Sequence, residues 1–107
     1  MALLNDSNFD RDIKTGVSIV KFYSLWNMDS RALETPFRDI SEEFRGKARF
    51  IVSEINASPA LAKKEGITNV PTIAVYINGT AIARINNVSK RQLREYVAYF
   101  IKKAENL

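Results

Sequence analysis

The sequence predicts an α/β sandwich, a mixed central sheet with helices on both faces. Three observations carry that expectation. Two β-branched and aromatic runs, residues 17–23 and 49–55, flank an amphipathic stretch with helical spacing. That is the pattern of a right-handed βαβ unit with parallel strands. Asn78-Gly79 separates two further apolar runs, a type I′ hairpin signal that adds an antiparallel pair. Ser89-Lys90-Arg91-Gln92 then has the form of a capping box opening a last helix.

In chain order, Ala2 to Leu4 is a candidate edge strand. Asn5-Asp6-Ser7 offers helix N-caps, and Phe9 and Ile13 form an i, i+4 apolar pair before Gly16 ends the segment. Val17 to Tyr23 reads as a mostly buried strand. The helix after Trp26 carries the stripe Leu33, Phe37, Ile40 and Phe44 and stops at Gly46. Arg49 to Ile55 is the next strand. Ser58 followed by Pro59 is an N-cap with first-turn proline, starting a short helix that ends by Gly66. Pro71 to Ile77 and Thr80 to Ile85 form the hairpin, and the closing helix buries Leu93, Val97, Phe100 and Ile101.

A chain of 107 residues with 46% apolar and 26% charged residues fits one domain spanning 1–107, with an adequate core. There is no cysteine and no histidine. That excludes thiol nucleophiles, disulfides, and zinc, copper or haem sites built on those ligands, together with the usual general base near neutral pH. Glu42-Glu43 and the scattered aspartates lack calcium-loop spacing, so neither metal nor cofactor is expected. The apolar runs are too short for a membrane span, and residues 1–6 lack the form of a secretory signal, which makes cytoplasmic location the expectation. The formal net charge is +4, with basic residues concentrated at Lys90, Arg91, Arg94, Lys102 and Lys103. A solvated helix face accounts for them, and nucleic-acid binding is the competing reading.

The element order resembles the thioredoxin family over nearly the whole chain, and three local patterns support the resemblance. Leu4-Asn5-Asp6-Ser7-Asn8-Phe9-Asp10 is similar to the family's opening strand and first-helix cap. The aromatic strand ending at Trp26 stands where the redox motif follows in the family. Gly66-Ile67-Thr68-Asn69-Val70-Pro71-Thr72, followed by Asn78-Gly79, looks like its cis-proline segment and hairpin. The resemblance implies a thioredoxin fold, with a mixed five-stranded sheet flanked by four helices on both faces.

The departures are where the function is expected to differ. The family's Cys-Gly-Pro-Cys is replaced by Asn27-Met28-Asp29-Ser30. In active members a thiolate at a helix N-terminus attacks the target disulfide and a second thiol resolves the mixed disulfide. Asn27 cannot ionise, and the Ser30 hydroxyl has no base to deprotonate it. Asp29 and Ser30 are read as N-caps for the helix or as remaining functional groups. Lys21 occupies the place of the family's buried aspartate, and Val52 that of a nearby lysine. Lys21 is expected to pair with Glu54 on the neighbouring strand, or else to snorkel to the surface. Pro36 stands one residue later than the family's helix proline. Asn86-Asn87 replaces a glycine that lines the substrate groove, with side chains expected to narrow or repolarise it.

Family members hold an extended peptide beside the tryptophan, paired with the backbone of the residue before the cis-proline, and that recognition needs no sulfur. Trp26, Val70, Pro71 and Thr72 are the residues the resemblance assigns to such a groove. The alternative is that Trp26 merely covers the sheet edge. The leading expectation is a redox-inactive, non-catalytic module that binds a protein or extended peptide, as an adaptor, assembly subunit or chaperone-like factor. The alternatives are an accessory protein in disulfide homeostasis that relies on a partner's cysteines, and a nucleoprotein component using the basic last helix.

Overall fold

The computed structural model describes residues 3–86 and 88–106. Its sheet has five strands in the order β1-β3-β2-β4-β5: β1 Leu3–Asn5, β2 Val17–Tyr23, β3 Arg49–Glu54, β4 Thr72–Ile77 and β5 Thr80–Asn86. β1 and β2 both run parallel to β3, whereas β4 runs antiparallel to β2 and to β5. This is the mixed sheet expected of a βαβ unit extended by a hairpin. The hairpin turns on Asn78 and Gly79, both with positive φ (50° and 85°), as a type I′ turn requires. Residue 2, proposed for the edge strand, lies outside the described residues, as does Asn87.

The period-2 alternation of the strands divides the core between the two faces. On one face Phe9, Ile13, Val20, Phe22, Ile51, Ala74 and Tyr76 form a cluster under α1 (Phe9–Asp12) and α4 (Pro59–Lys64). On the other, Ile19, Phe50, Ile73 and Val75 pack against Leu33, Phe37 and Ile40, and against Leu93, Val97, Phe100 and Ile101 of α5 (Lys90–Glu105). The capping box at Ser89 and Gln92 is formed in both directions.

Two elements differ from expectation. The segment around the first helix begins as a 3-10 turn, Asp6–Asn8, capped by Asn5, whose side chain accepts from the Ser7 amide. The helix after Trp26 is two pieces, α2 (Met28–Ala32) and α3 (Glu34–Glu43), broken at Leu33. Pro36 explains the break. It has no N–H to donate to the Ala32 carbonyl four residues back, and its ring crowds that carbonyl. The apolar stripe from Leu33 to Phe44 survives because Leu33, Phe37 and Ile40 reach the same core across the break.

Candidate functional site at the Trp26 loop

β2 and β3 deliver their carboxyl ends to one edge of the sheet, the place where α/β folds present their sites. The chain leaving β2 forms the loop Ser24 to Asn27 and then α2. Leu25, Trp26 and Met28 are all exposed there, Trp26 at 86% and Met28 at 83%. Large apolar side chains this open to water have no packing role within the chain, which disposes of Trp26 as a cover for the sheet edge.

The loop is held by polar bonds beneath them. Asn27 is the N-cap of α2: its Oδ1 accepts from the Ser30 amide at 2.7 Å. Neither Asp29 nor Ser30 caps the helix, which corrects that reading; Asp29 sits exposed in the first turn. Ser30 is buried, and its Oγ accepts from the Ser24 amide at 3.2 Å. The Ser24 Oγ in turn accepts from the Trp26 amide and from Asn56 Nδ2, each at 3.2 Å. Asn27 and Ser30, where the family resemblance expects the thiols, are structural fastenings here, one as a cap and one as a loop anchor.

Lys21 does not pair with Glu54, although alternation puts both on the α3/α5 face of the sheet. The Glu54 carboxylate is engaged by the loops: it accepts from the amides of Leu25 (3.0 Å), Asn56 (2.7 Å) and Ala57 (2.8 Å), and from Asn56 Nδ2 (3.2 Å). Burial acts to raise its pKa, but these donors outweigh it and hold the carboxyl below its ordinary value. Four donors, three of them within three residues of Glu54, outcompete one ammonium. Lys21 does not snorkel either, being only 3% exposed. Its Nζ lies 4.7 Å from the Tyr23 ring centroid and 5.4 Å from that of Phe37, and no carboxylate among the described residues reaches ion-pair distance. Burial pushes its pKa down, Glu34 acts to raise it, and Arg38 lowers it further.

Opposite the loop, the Val70–Pro71 peptide is cis. Pro71 and Thr72 are buried and Val70 is partly buried. The Thr72 Oγ1 donates to the Asn69 carbonyl at 2.6 Å and accepts from Asn86 Nδ2 at 2.7 Å. The Asn86 side chain thus turns inward to brace this segment, where narrowing of the groove was expected. Among the described residues, no hydrogen bond engages the Val70 backbone. A cavity of about 430 Å³ opens between α2, the start of α3, Pro71 and the start of α5, lined by Asp29, Ala32, Leu33, Pro36, Pro71, Val88, Ser89 and Lys90; neither Trp26 nor Val70 lines it. Sequence reasoning missed Ala32, Leu33, Pro36, Val88, Ser89 and Lys90 as lining residues. Their only signal is membership of helices and a loop whose ends converge in space.

The five basic residues of the last helix form no free stripe. Lys90 pairs with Asp39, Arg91 with Glu95 and Arg94 with Glu43, while Lys103 lies over the Tyr99 ring. No helix among the described residues is long and apolar enough to cross a membrane.

A mixed sheet in this order, with an exposed tryptophan after β2 and a cis-proline before β4, defines a thioredoxin-fold protein. The family model described as Thioredoxin matches residues 1–99, and the chain belongs to that family. It is 26% identical over 82 residues to a thioredoxin of Staphylococcus saprophyticus, covering 77% of this chain and 79% of that one. Among solved structures, a mutant thioredoxin of Halobacterium salinarum superposes with a TM-score of 0.82 at 18% identity, covering 92% of this chain and 90% of that chain. Mitochondrial thioredoxin 3 of Saccharomyces cerevisiae gives 0.80 at 21%, covering 92% and 94%. This chain, unlike a working dithiol protein, contains no cysteine.

Proposed function

We propose that this chain is a redox-inactive thioredoxin-like module that holds an extended segment of a protein partner between the Trp26 loop and the Val70–Pro71 segment, without catalysing a reaction. The observation that carries this reading is a largely exposed Trp26 in the loop entering α2, together with a Val70 backbone that no hydrogen bond engages among the described residues, next to a cavity lined by Asp29 of α2 and by Pro71. An extended peptide would satisfy the Val70 amide and carbonyl as an added strand does, and cover apolar surface that otherwise faces water. Thiol exchange needs a thiolate, and the residues at the thiol positions are committed to helix capping and loop anchoring.

The test is binding of a permanently unfolded, cysteine-free polypeptide to the wild type, Trp26→Ala and Val70→Asp, alongside a disulfide-reduction assay. The proposal expects binding that each substitution weakens at least tenfold, and no turnover by the chain alone. Equal binding by all three proteins would end the groove reading, and turnover would end the redox-inactive one. The basic last helix supports a nucleoprotein role poorly, because three of its cations already have carboxylate partners on the chain.

A further inference from the structure

The cavity between α2, Pro71 and the start of α5 has an apolar floor and an asymmetric rim. Ala32, Leu33, Pro36, Pro71 and Val88 supply the floor, while Asp29 and Lys90 are the charged residues of the lining. The two charges are not equivalent. Lys90 Nζ sits 2.9 Å from Asp39 Oδ2, so its charge is compensated within the chain. Asp29 is exposed in the first turn of α2, and among the described residues no cation stands within ion-pair distance of it. Arg31, two residues on, projects from a different side of the helix and does not line the cavity. The start of α5 also faces the cavity, but Ser89 and Gln92 occupy its end with a reciprocal cap. The one uncompensated charge on the rim is therefore negative.

We infer that the segment held in this groove carries a bulky apolar side chain, seated on the Ala32–Pro36–Pro71–Val88 floor, with a lysine or arginine one or two residues away that meets Asp29. This rests on the groove reading above and adds the chemistry of the occupant. The chain's net charge of +4 opposes a basic ligand at long range, but that field is screened beyond about 8 Å at physiological ionic strength. Contact with Asp29 is inside that distance and decides the preference.

The sole tryptophan of the sequence lies in the exposed loop three residues before Asp29, so its fluorescence serves as the probe of occupancy. Three synthetic peptides of equal length serve as probes: a leucine next to a lysine in a Gly-Ser frame, the same with glutamate for the lysine, and the lysine peptide with serine for the leucine. The wild type is expected to bind the leucine–lysine peptide about 2- to 5-fold more tightly than the leucine–glutamate peptide, with the ratio falling as salt is raised. The leucine-free peptide should bind weakest. Asp29→Asn should abolish the charge preference and Asp29→Lys should reverse it, both remaining folded by circular dichroism at the assay temperature. If both leucine peptides bind equally, or if the preference survives Asp29→Asn, the inference is overturned while the groove reading stands. If no peptide perturbs Trp26, both are overturned. A Trp26 signal that changes with protein concentration alone would give the groove to a second copy of the chain and overturn the stated occupant.

Discussion

Lys21 shows how one side chain can be destabilising and still be accommodated. A buried ammonium without a carboxylate loses several kcal/mol of hydration, and stacking over Tyr23 and Phe37 returns about 2 kcal/mol at most. Lys21→Met, of similar length and apolar, should therefore stabilise the fold by about 1–3 kcal/mol in denaturant unfolding. The pH dependence follows from the lowered pKa. The unfolded chain binds the proton more tightly than the folded one, so the wild type gains stability as pH rises. The advantage of the methionine variant should be largest below the lowered folded-state pKa and shrink as pH approaches the ordinary value of 10.5. A pH-independent difference would show that Lys21 is not held against its charge. None of this was visible in the sequence beyond the oddity of a lysine inside an apolar strand. Glu54 looked like its partner because register and charge allowed it, and the competing loop amides could not be read from the pattern.

At the level of elements, most of the fold was legible because its signals are local. The capping box of α5, the positive-φ Asn78-Gly79 turn and the Ser58-Pro59 start of α4 each rest on a few neighbouring residues. The interruption between α2 and α3 was harder. An apolar stripe with helical spacing runs through it, and only the missing Pro36 amide breaks the hydrogen-bond ladder. The cap of α2 was misplaced by two or three residues, since Asn27, Asp29 and Ser30 all have suitable side chains and the backbone decides among them. Asn27→Ala should cost about 1 kcal/mol of stability, whereas Asp29→Ala, which removes no cap bond, should cost less than half of that. Thermal melts of the two variants check the order, and a larger loss at Asp29 would return the cap to it.

Across the whole molecule, two ends of the sheet have different characters. At one end three α5 cations are paired within the chain, whereas the loop after β2 carries exposed Leu25, Trp26 and Met28 and leads into α2, whose Asp29 and Ala32 line the cavity. The residues of this site come from α2, α3, the loop before β4 and the start of α5, far apart in sequence. Of the residues singled out from the sequence, Asp29 and Pro71 line the cavity and Trp26, Val70 and Thr72 do not; the floor of the cavity depends on tertiary convergence. Asn27 and Ser30 hold the start of α2 and the Ser24 loop in place. The most direct measurement is an amide-shift titration by NMR of the labelled full chain with an unfolded, cysteine-free polypeptide. Perturbations concentrated at Trp26, Ala32, Val70, Thr72 and Val88, saturating with one affinity, are the predicted result. Shifts confined to the surface of α5, or none at saturating polypeptide, would contradict the account.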